Sequence, residues 1–256
     1  MNKGGLNALM AFLEESLGFR PMHRDFASYS FIQAEGLPFH IHYYPDSDSP
    51  TQTGSSDKTI HLREAQIRRM PKKLFARLKV QAGQGRRIYA RDTVVARIDK
   101  GMVLEFLQEQ HLQVALPGKY RYGLFLAGEL VSVAVFAGGR RMPEKGTDYR
   151  SFELLRFCHK GDLLVVGGLS KLIKRFVADF NPQDIMTYVD LDWTQDSSLQ
   201  GIGFNIEKTL APQQFWITDQ NQIPIHSPQD ILICMEKAPG GYLHYNSGST
   251  KLVLYL

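Results

Sequence analysis

An α/β (α+β) fold with a central mixed, mostly antiparallel sheet is what this sequence predicts, and three observations predict it. Between Phe152 and Phe204 the chain reads strand, glycine pair, helix, strand, short helix, Gly-Phe. Upstream, Tyr122 to Phe136 is an apolar run broken only at Ala127-Gly128-Glu129, the pattern of a hairpin. The composition, 43% apolar and 22% charged over 256 residues, is that of a globular chain long enough to bury a large core.

The elements follow in order. Leu6, Leu9, Met10, Leu13 and Leu17 recur at helical spacing, and Glu14 and Glu15 interrupt the apolar core a signal peptide would need. Ala27 to Tyr44 suits a hairpin across Glu35-Gly36, with His40 and His42 on one face; no third ligand for a metal is evident nearby. Residues 45–59 are rich in Ser, Asp, Thr, Pro and Gly and read as a loop. Ile67, Met70, Leu74, Phe75 and Leu78 suit an amphipathic helix with Pro71 at a start or kink. Arg86 to Asp99 alternates as a strand, and Gly101 to His111 follows as a helix with Met102, Leu104, Phe106 and Leu107 on its apolar side. Phe152 to Cys158 is a buried strand. Leu169, Leu172, Ile173, Phe176 and Val177 mark the helix after Gly167-Gly168, and Asn181-Pro182 ends it. Asp184 to Val189 is the next strand. From Asn205 the chain reads as further strands, the last being Lys251 to Leu256. These readings divide the chain into an N-terminal extension, 1–83, and an α/β domain, 84–256.

Charge is uneven. Residues 61–100 carry twelve basic side chains against Glu64, Asp92 and Asp99, a net +9 in a chain whose total is +4. Arg68, Arg69, Lys72, Lys73, Arg86 and Arg87 are therefore candidates for contact with DNA or RNA phosphates; the alternative is a solvated helix face. No apolar run is long enough for a membrane span. Cys158 and Cys234 give neither a disulfide framework nor a zinc pattern, which fits a reducing cytoplasm.

The first turn of the helix after Gly167-Gly168 has backbone N–H groups without helical partners, and these together with the helix dipole attract anions. Glycine lets a phosphate approach the backbone closely, and Lys171 adds a positive charge. The alternative is that the glycines only allow helix and strand to pack.

The ordered series Phe106-Leu107…His111-Leu112-Gln113, Tyr122-Gly123-Leu124-Phe125, Glu153 to Cys158, Val166 to Leu172, Tyr188-Val189-Asp190…Trp193 and Gly203-Phe204 resembles the coenzyme A-binding half of the GNAT (Gcn5-related) N-acyltransferase fold. More narrowly, it resembles phage proteins described as Hef-like or homing-endonuclease-associated and their distant Mom-type DNA-modification relatives. The resemblance spans roughly residues 84–217. It implies an acyl-coenzyme A donor, with Arg156, Phe157, Cys158, Val166, Gly167, Gly168, Ser170 and Lys171 as its seat. It also implies a base for the attacking amine, for which the candidates are His111, Asp190 and Glu153. Each has a structural alternative: His111 as a helix-end histidine, Asp190 as a cap for the short helix expected after it, and Glu153 or Asp190 as the carboxylate that a buried Arg156 would need if no ligand phosphate meets it.

The resemblance is incomplete. Where GNAT enzymes often carry a tyrosine that protonates the departing thiolate, this chain has Leu199, in the turn before Gly203-Phe204. Two functions are consistent with the sequence. One is an N-acyltransferase acting on a nucleic-acid base or a protein amine. The other is a catalytically silent nucleic-acid-binding protein of phage or mobile-element origin.

Overall fold

The computed structural model describes residues 4–46, 58–193, 198–218 and 222–256. The chain forms two compact units: one of Met1–Phe75, Val189–Ser197 and Thr209–Thr250, the other of Ala76–Tyr188, Ser198–Lys208 and Lys251–Leu256. The division expected at 83/84 differs from this arrangement. The N-terminal unit takes in two later segments, and no sequence pattern announces that return.

The largest sheet, most of whose residues belong to the second unit, has the order Asn205–Leu210, Ser249–Tyr255, Asp184–Asp190, Arg150–His159, Glu129–Phe136, Tyr120–Leu126, Val94–Arg97, with Arg140–Arg141 pairing beside Arg150. Arg150–His159 and Asp184–Asp190 are parallel neighbours, as a strand–helix–strand unit requires. The pairs on the other side of Arg150–His159 are antiparallel. Ala127 and Gly128, both at positive φ, make the hairpin turn before Glu129.

Alternation along Glu129–Phe136 supplies both faces of the sheet. On one face Phe136 stacks on Phe176 of the Gly168–Phe180 helix, centroids 3.9 Å apart, and Phe152 meets Phe176 edge-on at 5.1 Å. On the other, Val133 and Val135 pack with Val103, Phe106 and Leu107 of the Lys100–Gln110 helix, which Asp99 caps by accepting the Met102 N–H at 2.9 Å. The strand expected over 86–99 is two strands, Arg86–Tyr89 and Val94–Arg97. A turn at Ala90–Asp92 separates them, closed by the Thr93 hydroxyl on the Ala90 carbonyl at 2.7 Å. Arg86–Tyr89 pairs in parallel with Leu163–Val166.

The first unit holds the sheet Pro21–Asp25, Ser30–Ala34, His40–Tyr44, Thr59–Arg63, including the expected hairpin, and a second sheet of Gln222–Ile225, Gln214–Ile217 and Tyr242–Tyr245. Leu6, Leu9, Leu13 and Leu17 of the N-terminal helical segment are buried, and Phe12 stacks on Phe75 at 4.4 Å. The loop expected over 45–59 falls mostly on residues 47–57, outside the described residues.

Candidate active site

The site is built where two parallel strands part. Pairing between Arg150–His159 and Asp184–Asp190 covers only Ser151↔Asp184, Phe152↔Ile185 and Glu153↔Met186. One residue further, the Thr187 hydroxyl closes on the Leu154 carbonyl at 2.9 Å. Against Glu129–Phe136 the register shifts between Leu154 and Arg156, a bulge at Leu155. A bulge bends its strand and re-aims the side chains beyond it. Beyond Glu153 the Arg150–His159 strand thus leaves that ladder, and backbone groups at a parting edge suit an extended ligand.

Beyond the bulge, the expected seat residues make contacts of their own. Cys158 is buried among Phe106, Leu107 and Val133, and its carbonyl accepts from the Ser132 hydroxyl at 3.1 Å. Arg156 donates through Nε to the Val114 carbonyl at 3.0 Å and through Nη1 to the Leu155 carbonyl at 2.6 Å. Burial lowers its pKa, with Glu153 countering. Phe157 meets the His159 ring edge-on at 4.8 Å.

His159 was not anticipated from sequence. Its Nδ1 lies 3.0 Å from the Ser132 hydroxyl oxygen. That hydroxyl has already given its hydrogen to Cys158, so Nδ1 carries the imidazole proton. Burial, then the Arg77 charge, push its pKa down to about 4, so the ring is neutral near pH 7.

The two glycines have different tasks. Gly167 is exposed at φ +76, in the left-handed region that favours glycine, and a Cβ there would meet only the Ala90 Cβ at 3.7 Å. Gly168 is buried, and a Cβ there would lie 3.1 Å from Val165 Cβ and 3.3 Å from His159 Cε1. Gly168 thus serves close packing, and Gly167 makes the turn that leaves the helix start open. Val166 is exposed beside it, and Ser170 is half-buried in the first turn. Lys171 is held: its Nζ donates to the Ala90 carbonyl at 2.7 Å and to the Thr93 carbonyl.

The three base candidates are placed differently. Glu153 sits at the last paired position before the strands part. His111 caps the Lys100–Gln110 helix, and its Nδ1 accepts the Gln113 N–H at 3.0 Å. That bond leaves the proton of the neutral ring on Nε2, which then donates rather than accepts. Asp190 belongs to the first unit, and its Oδ1 accepts the Asp192 N–H at 2.9 Å, closing a turn at 191–193 where the sequence predicted a cap for a short helix. Leu199 lies just ahead of the Gln200–Ile202 turn, and its carbonyl accepts from Phe204 N–H at 3.1 Å.

The basic candidates fall in both units. Arg68 pairs with Asp46 and, at 3.5 Å, with Glu64. Lys72 is exposed, and Arg69 and Lys73 are half-exposed; all of these lie in the first unit. Arg86 and Arg87 are exposed on a strand of the second. Among the described residues no group of three or more His, Cys, Asp or Glu is arranged to hold a metal, and no helix is long and apolar enough to cross a membrane.

No family model matches the sequence, and no curated protein matches it. Among solved structures, the fold is similar to that of an acetyltransferase from Bacillus subtilis in complex with CoA (14% identity, 64% of this chain and 99% of that one, TM-score 0.40). It is also similar to an IAA acetyltransferase from Bacillus cereus (14%, 64% and 99%, 0.39). A third is the ribosomal-protein-S18-alanine N-acetyltransferase from Escherichia coli (9%, 64% and 93%, 0.40).

Proposed function

We propose that the chain is an N-acyltransferase of the GNAT type that takes an acyl-coenzyme A as donor. The observation that carries this is the parting of Arg150–His159 from Asp184–Asp190 directly after Glu153↔Met186, in the same unit as the open helix start at Gly167. The two features suit two parts of one ligand. Freed strand groups match an amide-bearing arm, and a helix start without side chains matches a pyrophosphate. The donor seat then consists mainly of backbone around Arg156, Phe157, Val166, Gly167 and Ser170. Arg156, Cys158, Gly168 and Lys171 shape it through their packing.

Glu153 is the base we propose for the attacking amine, directly or through one water, because it sits where the strands part. The thiolate leaving group takes its proton from solvent, since Leu199 offers none. The acceptor is an amine, and the basic residues of 61–100 favour one carried on a nucleic acid. The test is calorimetry with acetyl-coenzyme A followed by a thiol-release assay on amine-bearing nucleic acids and peptides. Saturable binding with thiol release supports the proposal. Absence of binding overturns it, and binding without release on any amine leaves the silent-binder alternative.

A further inference from the structure

The first unit contains a buried cluster that acyl transfer does not use. His42, His61, Arg63 and His244 are each more than nine-tenths buried. Arg63 Nε donates to His244 Nε2 at 2.9 Å, and Arg63 Nη2 to the Tyr245 carbonyl at 3.3 Å, so one side chain ties the Thr59–Arg63 strand to the Tyr242–Tyr245 strand. Its guanidinium lies over the Tyr44 ring at 4.7 Å. The Tyr44 hydroxyl is 3.0 Å from His61 Nδ1. The His42 ring stands edge-on to His61 at 5.1 Å, and Tyr29 covers it at 4.5 Å.

Among the described residues, the carboxylates around the cluster are Asp46, Glu64, Asp190 and Asp192. Asp192 is buried, with Oδ1 accepting the Ser247 N–H at 2.8 Å, and Asp190 stands beside it. Asp46 accepts from Arg68 and Tyr242. The Glu64 carboxylate is taken by the Gly5 N–H at 3.0 Å, by the Tyr43 hydroxyl and by Arg68.

Accepting from Arg63 fixes His244 as neutral with its proton on Nδ1, and that atom is buried with no hydrogen-bond partner among the described residues, as is Nδ1 of His42. A second proton on His244 would break the bond and press two cations together. Apolar residues would fill such a core at no loss of stability, so three buried imidazoles, two of them beside one guanidinium, are an expensive core but a direct pH sensor. We propose that this cluster is an acid-operated latch: its neutral imidazoles hold the Thr59–Arg63 and Tyr242–Tyr245 strands together, and mild acidification opens the first unit.

The sign follows from burial. His42 is lowered by burial and by His40; His61 falls to about 3 and His244 to about 2, burial being the largest cause for both. Folded values below the unfolded value of about 6.5 mean stability is fully present above that pH and lost as pH falls toward the folded values. Asp192 acts oppositely. Burial and Asp190 raise it, so it takes up a proton on folding and offsets one of the three.

Both tryptophans of the chain, Trp193 and Trp216, are buried in this unit, so intrinsic fluorescence reports its opening. In urea titration of the full chain between pH 6 and 5, followed by this fluorescence, a net of two protons predicts a rise of about 100-fold per pH unit in the unfolding constant of the first unit. The double substitution His61→Gln with His244→Gln should reduce that rise below about tenfold. A wild-type rise below tenfold, or an undiminished rise in the double variant, overturns the proposal. Should the double variant not fold, backbone hydrogen exchange of the wild type decides. Loss of protection at pH 5 in residues 59–63 and 242–245 but not 120–136 supports the latch, and equal loss in both overturns it.

Discussion

Lys171 Nζ donates to the Ala90 carbonyl at 2.7 Å, so the first turn of the Gly168–Phe180 helix is tied to the turn after Arg86–Tyr89. A lysine one turn into a glycine-headed helix reads from sequence as a phosphate ligand, and here it satisfies main-chain oxygens instead. Lys171→Met should therefore cost about 1.5–3 kcal/mol in urea unfolding, the range for hydrogen bonds to a charged group. Acetyl-coenzyme A affinity at saturating protein stability should change much less than stability does. A Lys171→Met protein of wild-type stability with lost affinity would return Lys171 to the seat.

Phe176 should be the most sensitive core position of the second unit. It is fully buried, stacked on Phe136 and edge-on to Phe152 and Tyr122. Phe176→Ala should destabilise by about 3–5 kcal/mol, from lost burial plus the cavity left behind. Calorimetric melting of the full chain checks this, and a loss under about 1 kcal/mol would mean the site collapses around the gap.

His159 gives the second unit its own pH dependence. Its folded pKa, pushed down to about 4, lies below the unfolded value of about 6.5. Its stability contribution is complete above that value and declines as pH falls toward about 4. His159→Gln keeps a donor for Ser132 and should flatten the pH profile of exchange in residues 150–159 across that window. An unchanged profile would show that another group titrates there.

Glu153→Gln should lower turnover by about 10²–10⁴-fold while leaving donor affinity intact, the usual cost of losing a general base. His111→Ala should lower it far less, because its bond from Gln113 leaves Nε2 protonated. The reverse ranking in steady-state kinetics would make His111 the base.

Nucleic-acid binding, where it occurs, should weaken steeply with salt and show little sequence preference. Charge reversal at Lys72 and Lys73 should flatten the salt slope, and reversal at Arg68, already paired with Asp46, should do less. Fluorescence anisotropy with single- and double-stranded DNA and RNA at low salt checks this, and no binding at low salt would leave the basic run as a solvated face.

Much of the second unit was legible because its signals are local. Alternation gave the hairpin at Ala127-Gly128, helical spacing from Leu169 to Val177 gave the helix, and Asn181-Pro182 gave its end. What was hidden is long-range. The bulge at Leu155 depends on register against Glu129–Phe136. The unequal tasks of Gly167 and Gly168 depend on His159 and Val165 packing against only one of them. The break at Ala90–Asp92, where both the N–H and the hydroxyl of Thr93 return to the Ala90 carbonyl, sits inside an otherwise alternating run. The Arg63–His244 bond joins residues too far apart in sequence for any periodicity to show.

The central claim is that an acyl-coenzyme A seats its pyrophosphate at the helix start opened by Gly167. Gly168→Asp would test it poorly, since any Cβ there strikes Val165. Gly167 has room, and Asp and Asn tolerate positive φ better than other side chains. The most direct measurement is titration calorimetry of acetyl-coenzyme A into the wild type, Gly167→Asn and Gly167→Asp, with melting curves to confirm that all three fold. Expected are binding by the wild type, a modest loss in Gly167→Asn, and at least a further tenfold loss in Gly167→Asp from the added carboxylate, about 1.4 kcal/mol. Equal affinities for folded Asn and Asp proteins, or no binding by the wild type, would contradict that claim.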